Sequence, residues 1–448
     1  MSTTQVDAAT APRAGRSERV GWYFYDFANS AFYTTVVTVF LGPYLGAVAK
    51  RAQDADGLVH PLGIPVAAGS VFSYTVSLSV LLTVFVLPVA GAIADRSTHK
   101  RELLGLFAYL GAAATVGMVF LTGTRFMVGI VLFLVANISF GAANVIYYSF
   151  LPQLAGPDDR DRVSSIGWAI GYIGGGLLLA LNLVAVQIGG DAHAADVARW
   201  SIVSAGLWWA AFTTIPVLRL RNRPPAAGQA RGSVLVDGFR QLGHTLRDLR
   251  GYPLTLFFLA AYLIYNDGIQ TVIVEAADFA DKELQLSQSV RVQTILGVQF
   301  LAFAGAWATG KLAQRIGAKK AVLATLVVWT VAVGLAFTLP VGRALPFVLL
   351  GLLIGFVLGG SQALSRSLYS QLIPLGREAE YFGIYEISDK GTSWLGPLLF
   401  GLTYQLTHSY RLAIISLLVF FVIGLFALLA VPMRRAIEAA GNTPPRVL

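Results

Sequence analysis

Stretches of about twenty apolar residues recur along this chain of 448 residues, and twelve of them can be read at about 20–45, 67–92, 102–122, 127–150, 162–188, 199–219, 252–275, 289–313, 319–339, 344–372, 380–406 and 410–432. An apolar run of that length spans the hydrocarbon core of a bilayer as an α-helix. In lipid every backbone polar group must be satisfied inside the segment, which leaves helices as the form such runs take. Charged residues make up only 13% of the chain, about half the share of a soluble globular protein. The expected fold is therefore an all-α membrane protein of twelve transmembrane helices.

The net charge of +9 would suit a nucleic-acid partner, but its distribution argues against one. With the amino terminus inside, about 23 of the 33 Lys and Arg residues fall in cytoplasmic segments and about eight outside. That asymmetry is the positive-inside rule, and it predicts both termini in the cytoplasm of an inner-membrane protein. Residues 1–19 are polar, with Arg13, Arg16 and Arg19, and read as a retained lead into the first helix rather than a cleaved signal. The chain has no cysteine, which excludes disulfides and thiolate metal sites.

The chain also repeats itself. Gly91-Ala92-Ile93-Ala94-Asp95-Arg96 follows the second apolar run, and Gly310-Lys311-Leu312-Ala313-Gln314-Arg315 follows the eighth, an offset of 219 residues. Gln153-Leu154 after the fourth run returns as Gln371-Leu372 after the tenth, an offset of 218. Two loops in equivalent places with nearly one offset predict two six-helix halves, residues 1–220 and 252–448. The segment 221–251 between them holds a Pro, Ala and Gly-rich stretch. It then carries Leu235, Phe239, Leu242, Leu246 and Leu249 at helical spacing, with Arg240, Arg247 and Arg250 among them. It reads as a surface helix tethering the halves or, alternatively, as a regulatory, lipid-sensing one.

Polar residues inside the runs are unevenly placed. The third, sixth, ninth and twelfth have essentially none in mid-span. The first carries Asp26, Asn29, Ser30 and Tyr33, and the fourth Asn137, Gly141, Asn144 and Tyr148. The seventh carries Asn266, Asp267, Gln270, Thr271 and Glu275, and the tenth Gly359, Gln362, Arg366 and Tyr369. The fifth adds Trp168, Tyr172 and Asn182, and the eleventh Glu386, Asp389, Lys390 and Ser393. Spacings of three, four and seven place each set on one helix face. An ionisable residue at bilayer depth is costly unless it faces protein or water. The stripes therefore predict one wet chamber between the halves, the signature of a protein that passes a small polar solute. Arg366 is placed to pair with Glu386 or Asp389, and Glu386 with Lys390. Asp26, beside Trp22, Tyr23 and Tyr25, reads either as a proton or amine site or as an acid at the membrane interface. Counting Asp26, Asp267, Glu386 and Asp389 against Arg366 and Lys390 leaves two acids unmatched, candidates for proton coupling.

The repeat, the Gly91–Arg101 loop and the apolar every-third helix resemble the major facilitator superfamily over nearly the whole chain. Gly91, Asp95, Arg96 and Lys100 match its loop signature, whereas Thr98 and His99 depart from it. The resemblance implies alternating access between two bundles, with Asp95 and Arg96 holding the outward-open state and Gly91 allowing close helix approach. In the second copy Gln314 replaces the Asp, which implies a weaker lock around Arg315. Tyr25-Asp26-Phe27-Ala28-Asn29-Ser30, Gly359-Gly360-Ser361-Gln362-Ala363-Leu364-Ser365-Arg366 and Gly396-Pro397 resemble the vacuole-effluxer-like branch, whose fungal members export amino acids from the vacuole. It implies a secondary transporter of a zwitterionic solute, with Arg366 or Lys390 on the carboxylate and Asp26 or Asp267 on the amine. The alternatives are a non-transporting receptor or scaffold on the same fold, or an exporter of an unrelated amphipathic compound. No Walker loop, zinc spacing or nucleophile elbow points to an enzyme, and no cofactor or metal is implied. A monomer, with lipid around it, is the expected form.

Overall fold

A computed structural model of the chain describes residues 15–190, 193–224, 247, 250–390 and 395–448. The amphipathic helix expected within 221–251 falls almost wholly outside the described residues.

Among the described residues, eleven helices are long and apolar enough to cross a membrane. They are α1 (Arg16–Arg51), α2 (Ala68–Arg96), α3 (Lys100–Phe120), α4 (Phe126–Leu154), α5 (Arg160–Gly189), α6 (Ala194–Arg219), α7 (Pro253–Glu283), α8 (Ser289–Ile316), α9 (Ala318–Phe337) and α10 (Ala344–Gln371), with Tyr410–Ala430 last. The eleventh predicted run is described as two segments, α11 (Glu378–Lys390) and α12 (Leu395–Thr407), on either side of four residues that are not described. Tyr410–Ala430 is therefore α13, and a short α14 (Met433–Ala439) follows it. The twelve predicted spans thus appear as eleven continuous helices and one described in two parts. A two-stranded hairpin, β1 (Leu58–Val59) against β2 (Val66–Ala67), decorates the first loop.

The helices with apolar mid-spans lie outermost. Leu106 and Leu110 on α3, Leu207 on α6, Val327, Val331 and Leu335 on α9, and Phe426 and Leu429 on α13 are all exposed. Such a belt has no place in water and fits lipid. Inside, α5 lies against α1 through glycines. A Cβ on Gly174 would collide with the backbone of Phe27, and one on Gly167 would lie 2.7 Å from the Trp22 ring. The close approach that glycine permits is what brings α1 and α5 together, as small residues do in membrane packing.

The polar contacts between the first six helices and the last six cluster at one face of the molecule. That face carries Arg19, whose guanidinium donates to the Leu154 carbonyl, and Arg446, which pairs with Asp158, so both described chain ends lie there. It also carries the repeated loops. Asp95, buried in α2, accepts hydrogen bonds from the Ala379 and Glu380 amides at 3.0 and 2.9 Å and from Lys100 Nζ at 2.9 Å. The first turn of a helix leaves its amides unpaired and carries a partial positive charge, so a carboxylate is the fitting partner. Gly91, one turn earlier, faces the Ala379 carbonyl so closely that any side chain would collide with it. The second loop copy makes no such cap: Gln314 and Arg315 are exposed, and Lys319 instead bonds the Leu429 and Val431 carbonyls within its own half.

This asymmetry gives a first expected result. Asp95→Ala removes two amide caps and the partner of Lys100, whereas Gln314→Ala removes nothing that holds the halves. A cap is worth about 0.5–2 kcal/mol. A cysteine placed at Ser370, buried behind this face, should therefore react with a thiol reagent several-fold to roughly thirtyfold faster in Asp95→Ala than in the parent or Gln314→Ala. Equal rates in all three would refute the lock.

Candidate functional site

The polar stripes converge where α1, α4, α5 and α10 meet. Asp26 lies ten residues into α1, about 15 Å along the helix axis at 1.5 Å per residue, and so deep within a core about 30 Å thick. Its Oδ2 accepts from the Tyr147 hydroxyl at 2.6 Å and from Arg366 Nη1 at 3.3 Å. Arg366 is fully buried and Asp26 is 6% exposed. The pair joins the two halves.

Arg366 is held from a second side. Its Nε donates to Ser164 Oγ and its Nη2 to the Ser164 carbonyl, both at 2.9 Å, while Ser164 Oγ itself donates to the Ala363 carbonyl at 2.7 Å. Aromatic rings enclose the guanidinium: Trp22 at 4.9 Å, Tyr148 at 5.0 Å, Trp168 at 5.3 Å and Tyr147 at 5.7 Å. A planar cation with a fork of five donors suits this setting, since it can bond in its plane and stack on its faces. Between this pair and the lock at Asp95, Ser367 donates to Asp161 at 2.6 Å and Arg160 to the Ser370 carbonyl at 2.9 Å. The Asp26–Arg366 pair thus lies within a series of rungs that close one end of the space between the halves.

Toward the opposite face the Tyr172 hydroxyl donates to Gln362 Oε1 at 2.7 Å. Beyond it a cleft of about 200 Å³ is bordered by Thr38 and Val39 of α1, Leu179 of α5, Ala277 of α7 and Arg291, Val292 and Ile295 of α8. Tyr33 is 43% exposed, at the start of the π-helical stretch Phe32–Phe40 in α1. Such stretches are frequent at functional sites.

A second polar group lies in the other half. Asp389 Oδ1 accepts from the Tyr262 hydroxyl at 2.6 Å and from Asn266 Nδ2 at 2.9 Å. Tyr385 stacks on Tyr262 at 4.5 Å and on Tyr369 at 5.1 Å, and it meets Tyr148 edge-on at 6.4 Å. This aromatic bridge links the Asp389 group to the Arg366 cage. Glu386, one turn from Asp389, is buried, and Gln270 is half-buried. The Lys390 side chain lies outside what is described.

Several expectations from the sequence are corrected. Arg366 reaches Asp26, not Glu386 or Asp389, because α10 packs across α5 toward the other half. Asp26 is buried inside the protein and not set at an interface. Asn29 and Asn144 do meet, at 2.6 Å, but Asn137 bonds Ser79 at 2.7 Å and Asn182 bonds Ser204, each within the first half. Asp267 Oδ2 accepts from the Gly396 amide at 2.7 Å, which makes it a partner of the α12 start. At the far end of α7, Asp278 pairs with Lys282, Asp281 with Arg291 and Glu283 with Arg411. Tyr147 and Ser164 escaped the sequence reading. A Tyr-Tyr pair beside Asn144 and a Ser-Ser pair ahead of the α5 glycines were the available signals.

Comparison with known proteins agrees with this architecture. The family model described as "Vacuole effluxer Atg22 like" matches residues 14–441. An MFS-type transporter of Bacillus subtilis (strain 168), YxiO, is 29% identical over 417 residues, covering 92% of this chain and 94% of that protein. Autophagy-related protein 22 of Kluyveromyces lactis is 27% identical over 465 residues and is covered to 94%, as is this chain. Among solved structures, the MFS (major facilitator superfamily) proton:xylose symporter XylE bound to 6-bromo-6-deoxy-D-glucose superimposes with a TM-score of 0.67 over 92% of this chain and 94% of XylE, at 14% identity, so the two share a fold. With one family model spanning nearly its whole length, and with two six-helix halves joined through a buried pair, the chain belongs to the vacuole effluxer Atg22-like family of membrane transporters.

Proposed function

We propose that this protein is a secondary active transporter that carries a small polar or zwitterionic solute, of the amino-acid kind, across the inner membrane by alternating access. The halves 1–220 and 252–448 rock about the site, with 221–251 as their cytoplasmic tether and both termini in the cytoplasm. The face bearing the Asp95 lock is then the cytoplasmic gate, closed here, and the solute enters from the opposite side. One observation carries the reading: a buried carboxylate and a buried guanidinium from opposite halves are bonded to each other at 3.3 Å. Such a pair is stable only while the halves stay together. Opening the cytoplasmic gate requires something else to neutralise each partner. A proton does so for Asp26, and a solute carboxylate does so for Arg366, so the two requirements couple proton movement to solute movement. Asp389, with Tyr262 and Asn266, offers a carboxylate for the solute amine.

Purified protein in liposomes tests this. Under an imposed pH gradient the parent should accumulate its amino acid. Asp26→Asn should retain exchange of internal for external solute but lose accumulation, because a neutral residue needs no proton to let go. Full gradient-driven accumulation by Asp26→Asn would end the assignment. Asp267→Asn and Asp389→Asn, run alongside, would reveal whether either acid carries the proton in its place.

A further inference from the structure

The outward surface of α8 near the gate carries a feature that neither packing nor transport uses. Trp307, Lys311 and Arg315 recur at intervals of four, which sets them on one stripe of the helix. The Trp307 indole is 49% exposed, and Lys311 and Arg315 are exposed on the two following turns. The Lys311 Nζ sits 3.5 Å from the centre of the Trp307 ring, one turn toward the amino end of α8. Among the described residues neither Lys311 nor Arg315 has a carboxylate partner within ion-pair distance. The repeat shows that Trp307 and Lys311 are no inheritance of the fold. At the offset of 219 the equivalent positions on α2 are Pro88 and Ala92, both buried, whereas Arg315 answers to Arg96.

A lipid-facing ammonium is costly unless an anion meets it. Trp favours the level of the headgroups, with its ring toward the acyl chains and its N–H toward the polar layer. The eight residues from Trp307 to Arg315 rise about 12 Å, enough to run from the acyl boundary into the headgroup layer. We infer that Trp307, Lys311 and Arg315 form a binding site for the headgroup of an anionic phospholipid. Its phosphate sits between Lys311 and Arg315 and its glycerol region lies against the indole. Because α8 packs on α5 and α10, which close the gate, an occupied site also places the lipid at a helix that must shift when the gate opens.

The test uses the whole protein in phosphatidylcholine vesicles doped with brominated lipid, which quenches a tryptophan in contact with it. The chain has eight tryptophans, so the Trp307 signal is the difference between the parent and Trp307→Phe. Brominated phosphatidylglycerol should quench that signal at mole fractions on the order of tenfold lower than brominated phosphatidylcholine, given two basic residues at the surface. In Lys311→Gln/Arg315→Gln, whose altered side chains are exposed, the two lipids should quench alike. Equal quenching by both lipids in the parent would overturn the site, as would a preference that survives the double substitution. Millimolar inorganic phosphate that abolishes the preference would show that the cations take the free ion, and it too would overturn the lipid assignment.

Discussion

Arg366→Gln should abolish transport and lower the stability of the folded protein by about 3–5 kcal/mol, the range seen when one member of a buried ion pair is removed. The cost lies in what remains. Asp26 would keep its Tyr147 hydrogen bond but lose the guanidinium, leaving a carboxylate inside a bilayer-spanning bundle with no cation beside it. Ser164 would lose both bonds from Arg366, and the four rings of the cage would face a neutral amide. Arg366→Lys should rescue little, because one ammonium cannot reach Asp26, Ser164 Oγ and the Ser164 carbonyl together or stack on the rings as a plane does. Adding Asp26→Asn to Arg366→Gln should return most of the lost stability, since two neutral partners cost far less to bury than one charge. Transport should stay absent. Thermal unfolding of the four forms gives the coupling energy directly. A single Arg366→Gln variant with normal unfolding and normal flux would remove the pair from the mechanism.

The parts of this site that could be read from the sequence are those with a local period. Asp26 and Asn29 share a face of α1, as Gln362 and Arg366 share one of α10, and regular helices preserve those faces in the fold. The repeated loop was legible for the same reason, since Gly91, Asp95 and Lys100 lie within one short stretch, but the resemblance pointed to Arg96 beside Asp95 where the structure has Lys100. Pairings across the halves had no such signal. Asp26 and Arg366 stand 340 residues apart, and their meeting depends on how α10 crosses α5. That crossing is set by contacts of Ser164 with Ala363 and of Arg160 with Ser370 that no periodicity announces. The stripes also overcounted. A polar face on a membrane helix serves either a chamber or a neighbouring helix, and Asn137 and Asn182 serve neighbours. Tyr147 was missed because it shares its place with Tyr148. Both rings face Arg366, and only the first bonds Asp26.

Gly91→Leu should be the strongest block to transport that leaves each half intact. Its Cα faces the Ala379 carbonyl with no room for a side chain, and the obstacle is backbone that cannot rotate away. Helix-interior overpacking typically costs about 1–3 kcal/mol and is relieved by movement of whatever is free to move. Here that is the whole opposite half, because α2 and α11 belong to different bundles. Separating them also pulls the Ala379 and Glu380 amides from Asp95. The protein should therefore rest with this face open and be unable to close it, whereas the same substitution at Gly174, between helices of one half, should damage folding instead. The chain has no cysteine, so a reporter needs no altered background. In Gly91→Leu, Ser370→Cys should react with a membrane-impermeant thiol reagent from the gate side alone, at a rate at least tenfold above the parent, while flux falls below a hundredth. Unchanged labelling with lost flux would mean that Gly91 matters for folding and not for closing the gate. Unchanged flux would mean that the two halves need not approach as closely here as the proposed alternating-access cycle requires.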